Sequence, residues 1–115
     1  MTHIIISEQL KNICPNIVLG CIEAMVKVKD SHPELWGEVT EACRQLMNRL
    51  AISEVSQIEN IKKAREVYRK LGNDPTRYRL SSEALVRRIL KEKGLYRVNN
   101  VVDINNLVSI LSFCP

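Results

Sequence analysis

Aromatic residues are few: one Trp, three Tyr and one Phe in 115 residues. The core must therefore be aliphatic, and a stacking platform for nucleobases, which needs several aromatics close together, is not expected. No apolar run reaches the roughly 20 residues of a membrane span. The opening MTHIIISEQ is short and has no basic leading segment, so it does not read as a signal peptide and a cytoplasmic location is the expectation. Cys14, Cys21, Cys43 and Cys114 form no Cys-x-x-Cys pair. With zinc spacing absent, no metal or other cofactor is expected, and the cysteines read as small apolar fillers. Gly-x-Ser-x-Gly, a Walker loop and His-Glu-x-x-His are missing too, and the two histidines, His3 and His32, have no identifiable partner. No residue can be named as a covalent catalyst.

Hydrophobic content is 45% and charged content 26%, ordinary for one globular domain spanning residues 1–115. The net charge of +4 is unevenly placed. Residues 1–60 carry a net −3, whereas residues 61–97 hold twelve Lys/Arg against four Asp/Glu. A basic block beside an acidic one suits a surface that faces a polyanion; a pair of solvated helices rich in Lys and Arg accounts for it as well.

His3–Ile6 is a short β-branched run and reads as a strand. Asn16–Lys29 reads as a second strand, with Ile22, Ala24, Val26 and Val28 alternating against Glu23, Met25, Lys27 and Lys29. Ser31-His-Pro-Glu34 starts a helix, with Ser31 as its cap and Leu35, Val39, Ala42, Leu46 and Leu50 inward. Ser56 and Glu59 predict a capping box for the next helix, which Gly72 ends. Ser81 or Ser82 caps a third helix to about Lys93, stopped by Gly94. A fourth spans Val101–Leu111, with Val101, Ile104, Leu107, Val108 and Leu111 inward. Two strands make a marginal sheet, so either another chain supplies strands or the rest of the sheet is missing, and the chain reads as the N-terminal part of a larger domain.

Polarity concentrates between Gly72 and Leu111. Asn99, Asp103 and Asn106 share a helix face, one carboxylate flanked by amides, which would suit recognition of an amino acid. In the simpler structural reading Asn100 or Asp103 caps the helix, Asn99 takes a left-handed turn conformation and Asn106 faces water. Arg77-Tyr78-Arg79 stands before the third helix, where free backbone N–H groups and guanidinium groups would hold a phosphate or carboxylate. Glu83 can instead pair with Arg79 or Arg87 and tie the turn to the helix.

The stretch from Ala64 to Ser109 contains a turn with Asp-Pro, then Arg-Tyr-Arg, Ser-Ser-Glu-Ala-Leu and Arg-Arg, followed by Asn-Asn-Val-Val-Asp and Asn-x-x-Ser. In order and spacing it resembles the B3/B4 domain of the phenylalanyl-tRNA synthetase beta subunit, most closely the stand-alone bacterial proteins built from that domain. The resemblance implies an α+β fold with a sheet packed against helices, a translation-linked role, and tRNA or aminoacyl-tRNA as partner, since in synthetases this domain hydrolyses mischarged tyrosyl ester. On this resemblance Arg79, Ser81, Glu83, Asn99, Asn100, Asp103 and Asn106 line or brace the pocket. Lys62, Lys63, Arg65, Arg69, Arg87, Arg88 and Lys91 meet RNA phosphates. More sheet follows in the family, so self-association through an incomplete sheet is a further expectation. Leu80 stands where the family often has proline. Two functions follow: an editing-related hydrolase, or a non-catalytic RNA-binding or architectural module in which the same polar residues are buried braces.

Overall fold

The computed structural model describes residues 2–115. Five helices follow one another: α1 (Glu8–Ile13), α2 (Pro33–Arg49), α3 (Glu59–Lys70), α4 (Ser81–Leu90) and α5 (Asn100–Ser112). A 3-10 turn, Ile52–Gln57, links α2 to α3. There is no β-strand among the described residues, so the expected α+β fold with a sheet packed against helices is overturned: the fold is all-helical.

The reason lies in what alternation can tell. From Ile17 to Ser31 the backbone forms no helix, strand, turn or bend. No neighbouring strand pairs with it, and residues 18–30 are all exposed; Ile22 is 96% exposed. A period of two reports side-chain directions along one strand and supplies no partner. His3–Ile6 likewise is no strand, and Ile4 and Ile5 lie exposed.

The core sits where α2, α4 and α5 pack on one another, with the 3-10 turn closing against α4 and α3. It comprises Val39, Ala42, Leu46, Val55, Ile61, Leu80, Val86, Ile89, Leu107 and Ile110, aliphatic throughout. Among the described residues no helix is long and apolar enough to cross a membrane. Cys14 and Cys43 are half-buried fillers, but Cys21 and Cys114 are exposed, against the expectation; all four thiols are free.

Several helix ends differ from the expected ones. His32, not Ser31, caps α2: its Nδ1 accepts from the Glu34 N–H at 3.3 Å, and Ser31 is buried. The Ser56 capping box does not form, because α3 starts with Ile58 as its N-cap and no side-chain cap. A reciprocal pairing occurs one turn earlier: Glu54 N–H donates to the Ala51 carbonyl and Ala51 N–H to Glu54 Oε1, both at 2.9 Å. Leu80, not a serine, precedes α4 as its N-cap.

Two C-termini use one motif. Asn73 N–H reaches the Tyr68 carbonyl at 2.9 Å and Gly72 N–H reaches Arg69 at 3.0 Å, with Gly72 at φ +87°. This is a Schellman closure, with Gly72 in its expected place. α4 repeats it through Glu92 N–H to Ile89 and Lys93 N–H to Arg88. Its left-handed residue is Glu92, at φ 61°, so α4 stops before the Lys93–Gly94 end expected.

α5 is rotated from the expected face. Asp103, Leu107, Ser109 and Ile110 are buried, whereas Val101, Ile104, Val108 and Leu111 are exposed. The buried polar groups decide this: Asp103 finds partners inside, and the face it lies on turns inward with it.

Candidate binding surface and buried polar nodes

Glu83, in the first turn of α4, is fully buried. Arg65 of α3 reaches it with one guanidinium nitrogen, Nη1, at 2.8 and 2.9 Å from its two oxygens. Arg87, one helical turn on, donates from Nε at 2.8 Å, and Arg79 stands 3.8 Å away. Arg65 also contacts the Pro75 carbonyl at 3.5 Å and the Thr76 hydroxyl at 3.2 Å. The node thus ties α3, the 74–76 turn and α4 together. Burial alone would raise the Glu83 carboxyl. Hydrogen bonds from Arg87 and Arg65, with their positive charge, outweigh it, and the group titrates below its ordinary 4.5.

Asp103, 1% exposed, anchors a second node. Its Oδ2 accepts a short hydrogen bond from the Ser31 hydroxyl, and its Oδ1 accepts from the Val98 N–H at 3.0 Å. Arg97 donates to the Ser31 carbonyl at 2.6 Å and lies 5.5 Å over the Trp36 ring. Asn99, and neither Asn100 nor Asp103, caps α5: with extended rather than left-handed backbone (φ −157°), its Oδ1 accepts from the Val102 N–H at 2.9 Å. Asn100 holds the end of the extended arm: its backbone N–H donates to the Lys29 carbonyl and its side-chain amide donates to the Lys27 carbonyl, at 2.8 and 2.9 Å. Its Oδ1 accepts from Lys29 N–H at 3.1 Å.

The structure divides the residues assigned to a pocket. Arg79 and Glu83 share the first node; Asn99, Asn100 and Asp103 gather at the start of α5, and the two groups share no hydrogen-bond partner. Ser81 is exposed, and Asn106 is half-buried a turn beyond Asp103. Ser31, Ser82 and Arg97 carry roles that the sequence did not suggest. Ser82 is buried and donates to the Phe113 carbonyl at 3.1 Å. These partners lie 31 to 72 residues apart, and no local pattern announces them.

The residues assigned to phosphates also part company. Arg65 and Arg87 are turned inward to Glu83. Arg88 is half-buried, its guanidinium 4.1 Å over Tyr96. Lys62, Lys63, Arg69 and Lys91 remain exposed, Lys63 with Glu59 at 3.0 Å. Lys62 and Arg69 flank a shallow hollow beside the 3-10 turn, lined also by Ser56, Gln57, Arg65 and Glu66. Positions 62, 65, 66 and 69 lie on one face of α3. The hollow presents the Lys62 and Arg69 cations, a hydroxyl and an amide together with the Glu66 carboxylate, while Arg65 is engaged by Glu83.

Comparison with known proteins finds no matching family model, no matching curated sequence and no matching solved structure.

Proposed function

We propose that the chain is a non-catalytic RNA-binding module, of the tRNA-linked kind that the resemblance over Ala64–Ser109 implies. One observation carries this reading. Glu83, Asn99, Asn100 and Asp103 spend their hydrogen bonds inside the fold, while Lys62, Arg69 and Lys91 stay free at the surface. Glu83 already has two guanidinium partners, and Asp103 has a hydroxyl and an N–H. Neither is available to orient a hydrolytic water without breaking a buried node.

Phosphate contacts by a few flexible cations give affinity that is electrostatic, sequence-tolerant and salt-dependent. Few aromatics accompany them, which fits backbone contact better than base stacking. The test is titration of a fluorescent tRNA over a salt series. Two to four contacts predict a slope of roughly −2 to −4 in log K against log salt. A flat response contradicts RNA binding by these cations. Deacylation of tyrosyl-tRNA above background would contradict the non-catalytic part.

A further inference from the structure

The arm from Ile17 to Asp30 takes no part in the core or in either polar node beyond its last residues. Among the described residues, 18–28 make no backbone–backbone hydrogen bond. Val18, Ile22, Met25, Val26 and Val28 stand more than half exposed. The whole chain shows the same excess. A compact 13.2 kDa monomer exposes about 6,400 Å², and this one exposes 8373 Å². The surplus of about 2,000 Å² exceeds the roughly 800 Å² that each partner buries in a standard interface. The radius of gyration, 15.6 Å, is likewise above the roughly 13 Å of a compact chain of this length.

We infer that the arm is a homodimerisation edge, on which two copies pair residues 21–29 antiparallel about a two-fold axis at Met25. Backbone parity selects the edge. Along an extended chain, backbone groups of successive residues point to opposite sides. The Lys27 carbonyl and both backbone groups of Lys29 already bond to Asn100; carried along an extended arm, this parity would set the groups of 22, 24, 26 and 28 outward. Centring on Met25 sets these outward residues against one another, Ile22 opposite Val28 and Ala24 opposite Val26.

Charge selects the register. With Met25 on the axis, Glu23 lies opposite Lys27 of the second copy, twice over by symmetry, with Lys29 diagonal to it. A parallel in-register pairing would set Glu23 on Glu23 and Lys27 on Lys27, which is unfavourable. Glu23 exchanges a surface contact with Thr2 (3.0 Å) for this pair. A two-stranded ribbon alone is marginal in water. The exposed apolar stripe of α5, Val101, Ile104, Val108 and Leu111, begins beside Asn100, which grips the arm, and is the surface against which such a ribbon would be backed.

The experiment is sedimentation of the full chain from low to high micromolar concentration, with far-UV circular dichroism as the check on folding. A concentration-dependent dimer is expected. Val26→Pro removes an outward N–H from an exposed segment; it should leave the helical signal unchanged and abolish the dimer. Glu23→Lys and Lys27→Glu should each weaken association by roughly tenfold, from two symmetric like-charge contacts. The double swap should restore it to within about twofold. A chain that stays monomeric, a dimer that survives Val26→Pro, or a double swap as weak as the single variants overturns the inference. None of these outcomes bears on tRNA affinity, so the two proposals fail separately.

Discussion

The side chain on which the helices most depend is a carboxylate. Glu83 is buried with two arginines on it, and removing one member leaves an uncompensated buried charge. Breaking such a pair costs about 3–5 kcal/mol. Glu83→Ala and Arg65→Ala should each lower the unfolding free energy by about that much in urea melts, close to the whole stability of a small domain. The pH dependence follows from the sign of the shift. The folded carboxyl is held below its ordinary 4.5, so its contribution is present above that value and is lost as pH falls through the lower folded one. Acid titration of the melting temperature should show this loss in the wild type, and a smaller one in Glu83→Gln. Half of the node is legible in the sequence: Arg87 lies four residues after Glu83, a spacing that pairs on any helix. Arg65, eighteen residues away on another helix, is not, and in isolation it reads as one more surface cation.

At the level of elements, helix ends and faces were read with unequal success. Gly72 is legible because a left-handed position favours one residue type. Its partner at the end of α4 is hidden, because Glu92 occupies the same conformation without advertising it. Glu92→Gly should therefore raise stability by roughly 0.5–1 kcal/mol, and Gly72→Ala should lower it by about 1 kcal/mol, both read from thermal melts. The face of α5 was misread for a different reason. Apolar periodicity picks Val101, Ile104, Leu107, Val108 and Leu111; Leu107 is buried as expected, but Asp103 with its two partners lies inward and the other four stand outside. Alternation over Asn16–Lys29 predicts a strand and none forms, since alternation says nothing of a neighbour. Asn100 is what fixes the arm to the helices. Asn100→Ala should leave the helical signal intact and speed amide exchange at Lys29, whose N–H loses its acceptor.

Across the whole molecule, the positive charge divides by location. Cations within 61–97 that find Glu83 or Tyr96 belong to the fold, whereas Lys62, Arg69 and Lys91 stay exposed and are the ones proposed to meet RNA. The sequence made the basic block visible but could not sort it, because burial of an arginine depends on a carboxylate elsewhere in the chain. Lys62→Ala and Arg69→Ala should each weaken tRNA binding and reduce the salt slope by about one unit without moving the melting temperature. Asp103 gives the opposite pattern. Its replacement by Asn removes charge-assisted bonds from Ser31 and Val98, at about 1–3 kcal/mol of stability, and touches no exposed cation. The most direct measurement is the tRNA affinity of Asp103→Asn, taken at a temperature where circular dichroism shows the variant folded. The account predicts a dissociation constant within about twofold of wild type. A loss of about tenfold or more in the folded variant would place Asp103 in a binding site and contradict its role as a brace.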